Sequence, residues 1–283
     1  MTQDPPFEDE LGDVLEKALR LRDLTEDDLA EATGIEVGRI KDALDYRYDL
    51  TAGELAGLAK VLGLNEIGLQ ALAEGRYPLP SPTCLPYCLH VISMPYGVGV
   101  VNAYVVCRCG ADHGLLFDSG VSPRAMDRAW PPSLESITAL FITHWDSDHA
   151  GASRDIRRRH PGVRVFAPEP GPIGAQVVRE GEVLEIDGFS VRVFSTAGHC
   201  RFHNSYLVSS MTCRAGPLLI AGDTFFAGSV AAGLFDRRLL LGEVRRLWRD
   251  LPGDAVVAPG HGPLTSIAAE REFNPFASED GER

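Results

Sequence analysis

Residues 143 to 151 read Thr-His-Trp-Asp-Ser-Asp-His-Ala-Gly, and the six positions from 144 to 149 hold four donors, His144, Asp146, Asp148 and His149. Imidazoles and carboxylates crowded this closely form a donor set for a metal ion. Working outward along the chain, His199 follows in "STAGHC", Asp223 in "IAGDTFF" and His261 in "APGHGP". Each sits among small residues directly after a β-rich apolar run. Imidazole and carboxylate donors suit zinc, iron or manganese, and seven of them hold two ions when one carboxylate bridges.

The runs that precede these residues read as strands from residue 89 onward: "LHVISMP", "VNAYVVC", "GLLFDSG", "ITALFITH", "VRVFAP", "EVLEIDGFSVRVFST", "NSYLVSS", "GPLLIAGD" and "AVVAPGH". Helices interrupt them, one from His149 through Arg159 and one over "RRLLLGEVRRLWRD". Ligands carried on loops at strand ends suit a rigid sheet scaffold that presents a reaction platform. The basic run Arg154, Arg157, Arg158 and Arg159 reads as a solvated helix face.

With these residues in view, the chain resembles the metallo-β-lactamase superfamily, whose pattern His-x-His-x-Asp-His, then His, Asp and His, holds a two-metal centre at one edge of an αββα sandwich. Intervals of 50, 24 and 38 positions from His149 to His199 to Asp223 to His261 resemble the short hydroxyacylglutathione hydrolase (glyoxalase II) branch, as do "GDTFF" and "PGHGPLTSIAAEREFNPF". The resemblance covers roughly residues 89 to 276. It implies that His144, Asp146 and His199 hold one divalent ion, that Asp148, His149 and His261 hold the other, and that Asp223 bridges. It implies further that Asp148 orients a hydroxide nucleophile, generated at neutral pH by two neighbouring cations, while one cation polarises the substrate carbonyl. In relatives the Asp of "LLFDSG", here Asp118, supports the ligand loop from behind; otherwise it is a strand-end turn residue. His203, four residues past His199, is a pocket candidate or a solvated loop histidine.

One position departs from that pattern, because the second His of the motif is Asp146 here. A carboxylate is a harder donor and moves the preference from zinc toward iron or manganese. Two other readings stand beside it: Asp146 only hydrogen-bonds near the site, or a single ion sits on His144, His199 and Asp223, as in persulfide dioxygenases of the superfamily. In glyoxalase II a basic residue a few positions past the bridging Asp and an added C-terminal helical domain grip glutathione. Here residues 227 to 232 are Ala-Gly-Ser-Val-Ala-Ala, and 22 residues follow His261. A small thioester or ester substrate fits better, with Arg237 or Arg238 as an anion contact. An iron enzyme acting on persulfide or oxygen is the alternative.

Residues 76 to 87 hold four prolines in twelve positions, which is linker composition. The expected division is therefore a helical module over 1–80 and a catalytic domain over 81–283, an α+β chain as a whole. Leu11, Val14, Leu15, Ala18 and Leu19 mark one helix face, Thr25 caps a second helix, and Thr33-Gly34 precedes a third with Ile35, Val37, Ile40 and Leu44. Thr51 caps a fourth. This resembles the helix-turn-helix of the Cro and phage-repressor type, which opens a third reading, a DNA-binding or metal-responsive regulator. Charge opposes it. Up to residue 80 there are eight bases against eighteen acids, a balance of −10 within a chain total of −13, and such a surface repels phosphates. The module is expected to mediate a homo-oligomer or to cover the mouth of the site.

No apolar run reaches eighteen residues, so no membrane span is expected, and the acidic N-terminus lacks the basic-then-apolar order of a secretory signal. The expected setting is cytoplasmic, with the six cysteines reduced. Cys84 and Cys88 with Cys107 and Cys109 lack the usual zinc-knuckle spacing, and Cys200, next to His199, reads as a packing residue.

Overall fold

The computed structural model describes residues 6–47, 50–80, 85–212 and 216–278. Five helices come first: α1 (Leu11–Arg22), α2 (Glu26–Thr33), α3 (Val37–Leu44), α4 (Ala52–Leu62) and α5 (Glu66–Ala73). Thr25 and Thr51 each accept a hydrogen bond from the backbone N–H three residues on, in capping boxes closed by Asp28 and Glu54. The fifth helix is one more than the sequence periodicity showed. Asn65 caps it, accepting from the N–H groups of Ile67 and Gly68.

Two six-stranded sheets follow. The first runs β1 (Cys88–Tyr96), β2 (Gly99–Cys107), β3 (His113–Phe117), β4 (Ser136–Phe141), β5 (Arg164–Ala167), β6 (Gln176–Val177), in that order. The second contains β7 (Val183–Ile186), β8 (Phe189–Ser195), β9 (Asn204–Ser210), β10 (Leu218–Gly222), β13 (Val256–Pro259) and β14 (Thr265–Ser266), ordered 14-13-10-9-8-7. A small ribbon, β11 (Phe225–Phe226) with β12 (Ser229–Val230), lies between β10 and β13 in the chain. The continuous run "EVLEIDGFSVRVFST" is in fact the β7–β8 hairpin, turned at Asp187 and Gly188. Helices α6 (Pro123–Ala129), α7 (Ser147–Ala150), α8 (Ser153–Arg159), α9 (Arg237–Asp250) and α10 (Ile267–Phe273) complete the chain. The single helix expected from His149 through Arg159 is broken into α7 and α8 at Gly151 and Ala152.

Strand alternation decides the layers. Tyr104, Phe117, Phe141, Phe166, Val191, Tyr206 and Ile220 point into the space between the sheets. Ala103, Leu116 and Leu140, one residue out of phase, pack with Met126 of α6 and Ile156 of α8. On the other side Leu219 and Ala221 of β10 meet Val244, Leu247 and Trp248 of α9, and the same cluster takes in Leu11, Val14, Leu15 and Ala18 of α1 and Leu55, Leu58 and Leu62 of α4. The result is an αββα sandwich whose second helical layer is continuous with the N-terminal helices.

The proline-rich stretch marks the change from helix to strand, but the core does not divide there. Asn65 N–H donates to the Pro275 carbonyl at 2.7 Å, and Lys17 Nζ donates to the Val230 carbonyl at 2.8 Å. Gly68 of α5 lies so close to the end of α10 that a Cβ there would sit 1.9 Å from the Phe273 carbonyl oxygen. The apolar faces of α1 and α4 are buried among the neighbouring helices, in one cluster with α9 and β10. Cys84 lies outside the described residues.

Candidate metal centre

The candidate ligand residues reach one place from four segments of the chain. Strand β4 ends at Phe141, and the loop after it carries His144 and Asp146 before α7 supplies Asp148 and His149. His199 lies between β8 and β9, Asp223 directly follows β10, and His261 follows β13. The five side chains His144, His149, His199, Asp223 and His261 are each at most 10% exposed, whereas the Asp146 side chain is 51% exposed.

Their donor atoms form three overlapping groups, each spanning no more than 4.8 Å: His144 with Asp146 and His199, Asp148 with His149 and His261, and His144 with His149 and Asp223. Asp146 Oδ2 faces both His144 Nε2 at 3.6 Å and His199 Nε2 at 3.4 Å. His261 Nε2 faces Asp148 Oδ2 at 3.5 Å. Asp223 stands between the two trios: Oδ1 is 3.3 Å from His149 Nε2, and Oδ2 is 3.4 Å from His261 Nε2 and 3.8 Å from His199 Nε2. Gly260 makes this approach possible, because a Cβ there would lie 2.1 Å from Asp223 Oδ1.

Each of the four histidines is fixed through its other nitrogen. His149 Nδ1 meets Asp118 Oδ2 at 2.9 Å, His199 Nδ1 the Ala232 carbonyl at 2.9 Å, and His261 Nδ1 the Val100 carbonyl at 2.9 Å. His144 Nδ1 meets Thr143 Oγ1 at 3.0 Å, and that hydroxyl donates onward to Asp118 Oδ2 at 2.8 Å. With Nδ1 carrying the proton toward an oxygen, every Nε2 presents its lone pair to the centre. Thr143 went unnoticed in the sequence reading, although it stands directly before His144. Asp118 is more than a turn residue: buried, in the left-handed region at φ 59, it also accepts the Thr143 N–H at 2.8 Å.

His203 is not on an open loop. It is 2% exposed, its Nε2 accepts the Asp223 N–H at 3.1 Å, and its Nδ1 meets Thr196 Oγ1 at 2.7 Å. Burial, with His144 beside it, lowers its pKa well below the usual imidazole value, so it is a neutral brace behind Asp223. The remaining shifts describe a centre rich in negative charge. Burial would raise the Asp223 carboxyl, but His149 and His261 hold it well below the usual range. The imidazole of His144, with His199 beside it, brings Asp146 down to about 2. Burial would lower His261, but Asp223 and Asp148 lift it to about 10. Three ionised carboxylates in one pocket call for compensating positive charge.

The donor set fits divalent cations. His144 Nε2 and Asp223 Oδ1 are buried with no hydrogen-bond partner, which is an unusual position for a polar atom unless an ion accounts for it. Cys200 takes no part: its Sγ donates to the Phe202 carbonyl, and burial, with Asp146 nearby, pushes its pKa up to about 12.

A protein of unknown role from Mycobacterium leprae is 30% identical over 223 residues, covering 66% of this chain and 97% of its own. Hydroxyacylglutathione hydrolase GloC of Haemophilus influenzae is 26% identical over 167 residues, covering 50% of this chain and 76% of its own. The crystal structure of the BLEG-1 B3 metallo-beta-lactamase superposes with a TM-score of 0.53 at 27% identity, covering 66% of this chain and 99% of that one. The family model of the metallo-beta-lactamase superfamily matches residues 96–261, from the end of β1 to the last ligand, and the chain belongs to that superfamily.

Proposed function

We propose that the chain is a metal-dependent hydrolase that cleaves a thioester or ester with two divalent cations. One holds to His144, Asp146 and His199, the other to Asp148, His149 and His261, and Asp223 is shared. The observation that carries this reading is the inward Nε2 geometry of four histidines, with every Nδ1 bonded outward and Asp223 spanning both trios. When bound, such a pair of cations polarises a carbonyl and brings the pKa of a water toward neutrality.

The residues supply the rest. Asp148 keeps an ionised carboxylate 3.5 Å from His261 Nε2, because the imidazoles of His261 and His149 beside it outweigh its burial. It is placed to accept a hydrogen bond from the attacking water and orient it. Cys200, held as a neutral thiol, is unsuited to act as a nucleophile. The likeness to a hydroxyacylglutathione hydrolase supports the thioester class. Glutathione itself is disfavoured: residues 227 to 231, where a basic grip is expected, form the buried β11–β12 ribbon against α1. A panel of thioesters and esters tests the reading, with turnover required from wild type and lost in His261→Ala.

The second reading, an iron enzyme acting on persulfide or oxygen, rests on Asp146. Its oxygen faces both imidazoles of the first trio and hardens that ligand set. Metal identity after growth with balanced zinc, iron and manganese separates the two readings, and Asp146→His is expected to favour zinc.

A further inference from the structure

Helix α9 carries two kinds of arginine. Arg246 pairs with Glu180 and Glu243, and Arg249 pairs with Asp250. On another face Arg238, Leu241 and Arg245 recur at the three- and four-residue spacing of one helical stripe, with Arg237 beside them. Among the described residues no carboxylate pairs with Arg237, Arg238 or Arg245. Nor does one pair with Arg22 of α1, whose Nε donates only to the Leu62 carbonyl. In a chain of net charge −13, with acids crowding the helices next to it, four guanidinium groups left without acids mark a place built for an external anion.

These arginines line a groove between α1 and α9. Two adjoining cavities, of about 190 Å³ and about 550 Å³, share Leu21 and Leu241 as a common wall. Arg237 lines the first, and Arg22, Arg238 and Arg245 line the second, where Asp23 is the one acidic lining residue. The first cavity borders the segment that holds the His199 loop. Ala232, whose carbonyl holds His199, lines the first cavity, and the backbone N–H groups of Phe235 and Asp236 tie the start of α9 to the His199 loop. From Arg238 to Arg245 the helix rises about 10 Å, so the charges are strung along the groove rather than gathered at one point.

We propose that this groove seats the non-reacting end of the substrate, and that this end is polyanionic, bearing two or more phosphate or carboxylate groups. The proposal rests on the hydrolase reading for the word substrate, while the anion site rests on the groove alone. Guanidinium forks take phosphate and carboxylate in bidentate pairs, and the Leu21 and Leu241 wall accommodates the apolar stem that joins them to the scissile bond. The N-terminal helices then complete the substrate site by supplying one side of the groove.

Isothermal titration of the full-length protein with inorganic diphosphate and, separately, with citrate at physiological salt tests this without turnover, so its outcome does not depend on which bond the centre cleaves. Saturable binding is expected for wild type, weakened at least tenfold in Arg238→Gln/Arg245→Gln. It should be retained in His261→Ala, which removes a ligand of the metal centre, and in Arg154→Gln/Arg158→Gln, which alters cations of α8. Binding of diphosphate alone assigns a phosphate-bearing tail, and binding of citrate alone a carboxylate-bearing one. The proposal is overturned if neither anion binds saturably, if the groove variant binds like wild type, or if His261→Ala abolishes binding. Tighter binding of duplex DNA than of either anion, lost in the same arginine variant, would equally overturn it in favour of a nucleic-acid surface.

Discussion

Asp118 is the residue on which two ligands converge, since it accepts from His149 Nδ1 directly and from His144 through Thr143. Partners of this kind are worth about 10- to 100-fold in metal affinity. Asp118→Asn is accordingly expected to weaken metal retention by that order in a chelator competition, and Thr143→Val by less, because it loosens His144 alone. Equal retention in both variants would remove them from the ligand support. Asp146 separates its alternatives similarly: Asp146→Ala should lower metal content if it is a ligand and leave it unchanged if it only hydrogen-bonds nearby. The candidate cluster was legible because His144, Asp146, Asp148 and His149 sit in a compact local motif and His199, Asp223 and His261 among small neighbours. Thr143 and the true position of His203 were not, because a hydroxyl or a brace is defined by what it touches across the fold.

At the scale of elements, Glu270 of α10 ties three parts together. Fully buried, it accepts from Tyr77 Oη at 2.9 Å, Thr265 Oγ1 at 2.6 Å, Asn274 Nδ2 at 2.6 Å and the Gly228 N–H at 3.3 Å. Burial raises its pKa to about 7, against four donors that pull it down. Because the folded value lies above the unfolded one, its contribution is fully present below about pH 4.5 and is lost as pH rises through 7. A shift of this size amounts to about 3 kcal/mol. Urea unfolding of wild type should therefore show stability falling across that window, and Glu270→Gln should flatten the fall; an unchanged slope would assign the pH dependence elsewhere. Helix α3 bears on the regulator reading: its Arg39 makes a two-pronged pair with Glu54, at 2.9 and 3.0 Å, and is spent within the bundle. Many strand and helix positions followed from periodicity, whereas α5, α6 and α10 were missed, α5 although Asn65 offered a cap.

For the whole molecule, periodicity told which faces of α1 and α4 are apolar but not what covers them: they pack on one another and on α2, α3 and α5, in one apolar cluster that continues into α9 and β10. The helices thus share an apolar cluster with α9 and β10. Leu15→Ala is expected to cost about 2–5 kcal/mol and to lower the unfolding midpoint of the entire protein in a single transition; a separate early transition, leaving the sheets intact, would show that the helices fold apart. No helix among the described residues is long and apolar enough to cross a membrane. The central claim is that seven side chains build two linked cation sites. Elemental analysis of the purified full-length protein tests it most directly. About two equivalents of divalent metal are expected for wild type and about one for His199→Ala and for His261→Ala, whereas unchanged stoichiometry in both variants, or a wild type holding no more than one ion, would contradict it.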